Sequence, residues 1–249
     1  MQYGLQLYSV RDAIEENFEN ALRQIAEMGY SMVEGVSTDR PAEEIKAILD
    51  RYGLILCSNH LNIKAFEDDD AFKRTVAFHK TMGCSELVLG AVPNKTREDI
   101  EYSINTVNKY IPLLKKEGMR LHYHNHSKEF FENKDGIVVF DELVKHTELM
   151  LQLDIFWAFN AGKCPMEMME KYRDRMCLIH LKDGIVAEDI WDPSRGAVGK
   201  PLGKGHAPVV DAYKKACELG MTVIVESENL DPDGVTEVRN CMELLKRLP

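Results

Sequence analysis

The sequence predicts an α/β fold, a single-domain (β/α)8 TIM barrel over residues 1–249. Three observations predict it. A junction recurs at Gly29, Gly53, Gly83, Gly118 and Gly220, where a charged amphipathic stretch ends, one Gly follows, and a short apolar run opens. Gly there is the left-handed cap that ends a helix without a Cβ penalty. The runs after these junctions are apolar on both faces, as strands of a covered parallel sheet must be. Finally, eight strand-then-helix units divide 249 residues into about 31 each, which is what a βαβ crossover needs.

In order, the strands are expected at 3–8, 31–34, 54–57, 86–89, 120–123, 150–156, 176–181 and 222–225. Helices are expected over 17–28, 41–52, 68–82, 97–117, 138–148, 165–174, 207–219 and 231–247. A doubly wound open sheet is the competing arrangement. It is weakened because Gln6-Leu7-Tyr8-Ser9-Val10-Arg11 follows the first strand where a G-x-G-x-x-G loop would stand. No composition shift or linker divides the chain. One long connection, between Lys182 and the helix near Val209, carries Gly184, Gly196, Gly199, Gly203, Gly205 and Trp191. Long loops in compact domains tend to serve function, so a lid over a site is expected there, with a disordered insertion as the alternative.

Composition narrows the function classes. With 31 basic and 41 acidic residues the net charge is −10. Such a surface repels phosphodiester backbones and anionic membranes, so neither is an expected partner. The chain has no apolar run near the roughly 18 residues of a membrane span. It starts Met1-Gln2-Tyr3-Gly4-Leu5 without a basic start or an apolar h-region, so the expected location is cytoplasmic. Six cysteines, widely spread and without a C-x-x-C pair, read as small hydrophobes in a reducing compartment.

In a barrel of this kind the active site forms at the C-terminal ends of the strands. Those ends carry Gln6 and Tyr8, Glu34, Asn59 and His60, then His122, His124 and His126, Asp154 and Trp157, His180 and Lys182, and Glu226 and Glu228. Only the fourth strand ends blandly, in Leu89 and Gly90. Carboxylates and imidazoles crowded at one rim cost desolvation and repulsion, which one divalent cation removes. Such ligands suit Mn²⁺ first, with Co²⁺, Fe²⁺, Zn²⁺ or Mg²⁺ as alternatives, and no thiolate favours zinc.

Gly4-Leu5-Gln6-Leu7-Tyr8-Ser9, Tyr123-His124-Asn125-His126-Ser127-Lys128-Glu129-Phe130, Leu153-Asp154-Ile155-Phe156-Trp157, Ile179-His180-Leu181-Lys182-Asp183 and Ile224-Val225-Glu226 together carry a resemblance. The chain resembles the xylose isomerase-like TIM barrel superfamily, and within it the sugar phosphate isomerase/epimerase group. The resemblance spans essentially the whole chain. It implies one divalent metal held by His124, Asp154, His180 and Glu226, and a homo-oligomer, dimer or tetramer. The family's strand-five ligand is a glutamate that doubles as one of two catalytic bases. Here His124 stands in its place and Glu129 follows in the loop, so either His124 ligates or Glu129 folds back.

The chemistry implied is proton abstraction next to a carbonyl of a small-molecule carbohydrate through a metal-stabilised enediolate. Glu226 is the expected base on one face. His126, His60, Lys182 or Glu129 would serve the other. Gln6, Tyr8, His60, Trp157 and Trp191 are the expected sugar-binding walls. An isomerase or epimerase is the first expectation. A dehydratase or lyase on a keto-inositol or 3-keto-glycoside is the alternative, since elimination runs with a single carboxylate base. A non-catalytic sugar-binding barrel is a lesser one. The related endonuclease IV architecture is disfavoured by the −10 charge and by too few rim ligands for three zinc ions. Gly203-Lys204-Gly205 is open to two readings, a phosphate nest or a lid hinge.

Overall fold

All five junction glycines adopt positive φ, from 66° at Gly53 to 108° at Gly29. At Gly83, φ of 68° lets its amide bond back to the carbonyls of His79 and Lys80, closing a helix that a side chain would strain. The computed structural model describes residues 2–192 and 195–248. Its strands are β1 (Gly4–Gln6), β2 (Met32–Glu34), β3 (Ile55–Asn62), β4 (Glu86–Ala91), β5 (Arg120–His124), β6 (Met150–Asp154), β7 (Met176–Ile185), β8 (Val198–Lys200) and β9 (Thr222–Glu226). The helices are α1 (Arg11–Met28), α2 (Ala42–Arg51), α3 (Asp69–Met82), α4 (Arg97–Lys116), α5 (Val139–His146), α6 (Ile155–Asn160), α7 (Pro165–Lys171), α8 (Val209–Glu218) and α9 (Gly234–Leu245).

The sheet closes. Parallel pairing runs from β1 through β2 to β7 in sequence order, then β7 to β9 and β9 back to β1. Eight parallel strands form the barrel, and β8 adds an antiparallel arm to the end of β7. Outward positions such as Leu5, Val33, Leu89 and Leu153 join the helices in one apolar cluster. Inward positions build a second, smaller layer of Val88, Leu178 and Ile224 flanked by Cys57 and Cys177. Register links that layer to the polar rim, because Val88 pairs with His60 and Ile224 with His180. Among the described residues no helix is long and apolar enough to cross a membrane.

The structure departs from the expected elements in several places, among them strand one, which ends at Gln6 in a 3-10 turn over Leu7–Val10, and strand three, which runs on to Asn62. Helix α1 starts at Arg11 rather than near 17, with a break at Asn17 (φ −161°, ψ 102°). The Asn17 side chain accepts the Asn20 amide at 2.9 Å, so the expected start is a second start inside one merged helix. Strand six ends at Asp154, not at Phe156, because the Asp154 carboxylate caps the Trp157 amide (2.8 Å) and opens α6. Strand seven runs on to Ile185, since β8 supplies hydrogen-bond partners. The expected lid is therefore partly a hairpin, and Pro193 and Ser194 within it lie outside the described residues.

At the opposite mouth of the barrel Glu86 is 9% exposed. It takes hydrogen bonds from His122 Nε2 (2.6 Å) and from the Arg120 guanidinium (2.6–3.0 Å). Burial raises its pKa, but His122 and Arg120 outweigh burial and bring it from 4.5 to about 2. A depressed carboxylate stabilises the fold above its unfolded pKa, and that stability is lost as pH falls toward the folded value. Glu86→Gln is therefore expected to cost roughly 1–2 kcal/mol at neutral pH, discounted for solvent screening. Urea unfolding followed from pH 7 downward should show the difference shrinking between pH 4.5 and 2. A difference independent of pH would show that the ion pair carries none of it.

Candidate active site

Period-two alternation turns the polar residues of each strand end inward, and the strand register sets them side by side. Gln6 pairs with Glu34, His124 with Gln152, Asp154 with His180, and Lys182 with Glu226. Gln6, Glu34, His124, Gln152, Asp154, His180, Lys182 and Glu226 are all buried. So dense a polar layer holds only if each charge meets a counter-charge or a donor.

Glu34 is the hub on one side. Its carboxylate accepts from Ser58 Oγ (2.8 Å), Gln152 Nε2 (2.7 and 3.1 Å), His60 Nε2 (2.6 Å), His180 Nε2 (3.1 Å) and Gln6 Nε2 (3.3 Å). Burial pushes its pKa up, but the His60 and His180 imidazoles hold it well below the usual carboxylate range. His180 bridges to Glu226, with Nδ1 3.0 Å from Oε2. Burial lowers its pKa, yet Glu34 and Glu226 raise it to about 10. The pKa of His124, by contrast, is pushed well down by burial and by the neighbouring His180, His60 and His126.

Lys182 is the second buried cation. Its Nζ lies 2.5 Å from Glu228, 3.5 Å from Glu226 and 4.6 Å from the centre of the Trp157 ring. Burial opposes its charge, but Glu226, Asp154 and Glu228 raise its pKa above that of a free lysine. Glu226 is held well below the carboxylate range by Lys182 and His180 despite burial. Asp154 is not so compensated. Its Oδ1 caps Trp157, its Oδ2 is buried without a hydrogen-bond partner, and burial pushes its pKa up to about 7.

This orphaned oxygen tests whether the site suits a metal. One ligand atom each from His124, Asp154, His180 and Glu226 lies within 4.8 Å of all the others. Two carboxylates, two imidazoles and an unsatisfied buried oxygen fit a divalent cation. Glu129 is outside this group. Its Oε2 accepts the His126 amide (3.0 Å) and its Oε1 lies 3.8 Å from His126 Nδ1, so it braces the loop after β5. The pKa of His126 is lowered by burial and raised by Glu129, with a net rise.

A cavity of about 560 Å³ opens onto the cluster, lined by Gln6, Tyr8, His60, His124, His126 and Glu226 among others. It lies within the range of small-molecule sites. Trp157 lines an adjoining pocket that also touches His126. Trp191 stands farther out, 55% exposed, with Lys128 above its ring (5.5 Å). The Gly203 and Gly205 amides both donate to Asp183 Oδ2 (2.9 and 2.8 Å), so they are taken and offer no free nest for a phosphate.

Glu34 stands among the strand-end residues of the sequence but carries no assigned role there, and Gln152 passes unremarked. A signal for Gln152 exists. In Met150-Leu151-Gln152-Leu153-Asp154 it shares the inward phase of Asp154, an amide in an otherwise apolar strand.

The sequence pattern of the xylose isomerase-like TIM barrel matches residues 22–248. The chain belongs to that family. Within the xylose isomerase-like TIM barrels, an inosose dehydratase of Geobacillus kaustophilus is 24% identical over 86% of this chain and 80% of its own length. A sugar phosphate isomerase/epimerase of Parabacteroides distasonis superposes with a TM-score of 0.81, at 25% identity, over 100% of this chain and 94% of that one. A probable 3-DHS dehydratase of Bacillus anthracis, 13% identical, shares the fold (TM-score 0.75) over 99% of both chains. Family and relatives together point to an enzyme, an isomerase/epimerase or a dehydratase.

Proposed function

We propose that the protein removes a proton next to the ketone of a sugar or cyclic polyol and expels the β-substituent, as a dehydratase or lyase. The observation that carries this reading is the acid–base inventory of the cavity. Its acidic lining residues are Glu226 and Glu228, and Lys182 neutralises Glu228 at 2.5 Å. The strand-five position offers His124, an imidazole assigned to the metal, in place of a second carboxylate base, so the single base Glu226 shares the cavity with His126 as the acid. Elimination asks for that pair. The inosose dehydratase relative supports the same reading.

Glu226 takes the α-proton, and the C–H electron pair passes into the enediolate. The C=C bond to the β-carbon forms as the β C–O bond breaks, and the departing oxygen takes a proton from His126. Glu129 raises the pKa of His126 against burial, which favours the protonated form that this task needs. Lys182, fixed over Trp157, orients Glu226 and holds positive charge beside the developing oxyanion. A divalent ion held by His124, Asp154, His180 and Glu226, which we take to be Mn²⁺, would supply Lewis-acid polarisation of the substrate carbonyl. Gln6, Tyr8 and His60 are assigned to hold the substrate, with Trp157 and Trp191 toward the outer groove.

A second reading, an isomerase or epimerase, is favoured by the likeness to the Parabacteroides distasonis protein. There the proton returns to carbon, from His126, His60 or Lys182. Incubation with ketoses, keto-inositols and 3-keto-glycosides plus Mn²⁺ in D₂O, followed by NMR and mass spectrometry, separates the readings. Loss of water or an aglycone is the expected result. Deuterium at carbon without loss of a group would establish the isomerase. Neither product nor exchange would leave a sugar-binding barrel. The proposed dimer or tetramer is checked by light scattering.

A further inference from the structure

We infer that Glu34 and Gln152 form a relay that fixes which nitrogen of His124 carries its proton, making both positioning residues for the cluster. The inference rests on reading that cluster as the active centre. An ionised carboxylate has acceptors only, so the Gln152 group facing Glu34 at 2.7 and 3.1 Å is its NH₂. Its carbonyl oxygen then points the other way. Two imidazole nitrogens reach that oxygen, His124 Nδ1 at 3.1 Å and His60 Nε2 at 2.9 Å. An amide oxygen only accepts, so His124 Nδ1 donates to it, while the single Nε2 proton of His60 is shared between that oxygen and Glu34 Oε1 at 2.6 Å. With the Nδ1 proton spent on that oxygen, Nε2 is the nitrogen left to turn a lone pair toward the cluster.

The relay cannot reverse cheaply. Turning the Gln152 amide over would set its oxygen against a carboxylate and its NH₂ against two N–H groups. Glu34 is itself locked by Ser58 (2.8 Å) and Gln6 (3.3 Å), so its oxygens have no freedom to follow. Both residues are fully buried, away from bulk solvent. An acceptor for the N–H of the second nitrogen is the usual way a ligating imidazole is oriented. Loss of such a partner typically costs 10–100-fold in metal affinity or activity. Here the partner is an amide, backed by a carboxylate 118 residues away in the chain.

The first test needs neither substrate nor metal. Long-range ¹H–¹⁵N correlation on metal-free, ¹⁵N-histidine-labelled protein should show the His124 proton on Nδ1. A proton on Nε2 overturns the inference. Gln152→Leu, which keeps bulk and removes the acceptor, should mix the two tautomers of His124 and weaken Mn²⁺ binding by about 10–100-fold in calorimetry. An unchanged tautomer with unchanged affinity overturns it equally. If that variant does not fold, the wild-type spectrum decides alone. Absence of turnover on every substrate would sink the proposed reaction and leave the tautomer result standing.

Discussion

Glu226→Gln is expected to lower turnover by about 10³-fold or more, close to 4 kcal/mol of transition-state stabilisation, with little change in thermal midpoint. The substitution keeps shape and removes the proposed base. The two cations that face Glu226 keep other partners, Lys182 at Glu228 (2.5 Å) and His180 at Glu34 (3.1 Å), so no buried charge is stranded. Asp154→Asn separates activity from stability further. Its Oδ1 still caps Trp157, while the unpartnered buried Oδ2 gives way to an uncharged amide. A carboxyl already pushed up to about 7 by burial loses nothing the fold depends on when it becomes neutral. Turnover should fall as steeply as in Glu226→Gln, while calorimetry shows a midpoint equal to or above wild type. Exchange of the substrate α-proton with solvent measures the first effect. More than a tenth of wild-type exchange in Glu226→Gln would remove Glu226 from the role of base.

How much of the fold and of the site is legible in the sequence depends on the distance over which each feature is decided. The helix-ending glycines are local, a conformation set by one residue, and they divide the chain into its eight units correctly. The ends of the strands are local too, which is why His124, Asp154, His180 and Glu226 are recognisable as rim residues from their places along the chain. Asp154 shows the limit. Ile155 and Phe156 are as apolar as the strand preceding them, and only the cap to Trp157 makes them helical. Strand β8 is invisible because its partner, the end of β7, shows no alternation of its own. Glu34 and Gln152 matter through contacts across the barrel, and no spacing along the chain encodes those. Glu129 illustrates the reverse case. Its place in the motif draws attention, whereas its carboxylate turns to the amide of His126.

Asp183→Ala is expected to cost about 3–4 kcal/mol, a fall of roughly 10 °C in thermal midpoint. Asp183 follows Lys182 on β7 and is fully buried. Its Oδ1 accepts the amides of Gly184 (2.8 Å) and Ala207 (3.0 Å), and its Oδ2 those of Gly203 (2.9 Å) and Gly205 (2.8 Å). One carboxylate thus satisfies four backbone donors, three in the returning loop and one at Gly184 on β7 itself. Alanine leaves all four without a partner unless the loop opens to water, and opening forfeits the packing of Leu202 and Val209 in the core. Asp183→Asn keeps one oxygen and turns an NH₂ toward two N–H groups, so it should lie between wild type and alanine. Close approach explains the glycines as well. A Cβ on Gly205 would collide with Asp183 Oδ1 and with the backbone of Gly184, so Gly205→Ala should reproduce much of the loss without touching any charge. Because Lys182 precedes this anchor by one residue, the alanine variant should also raise KM. Equal midpoints for wild type and Asp183→Ala would mean that the loop draws its order from the β7–β8 hairpin instead.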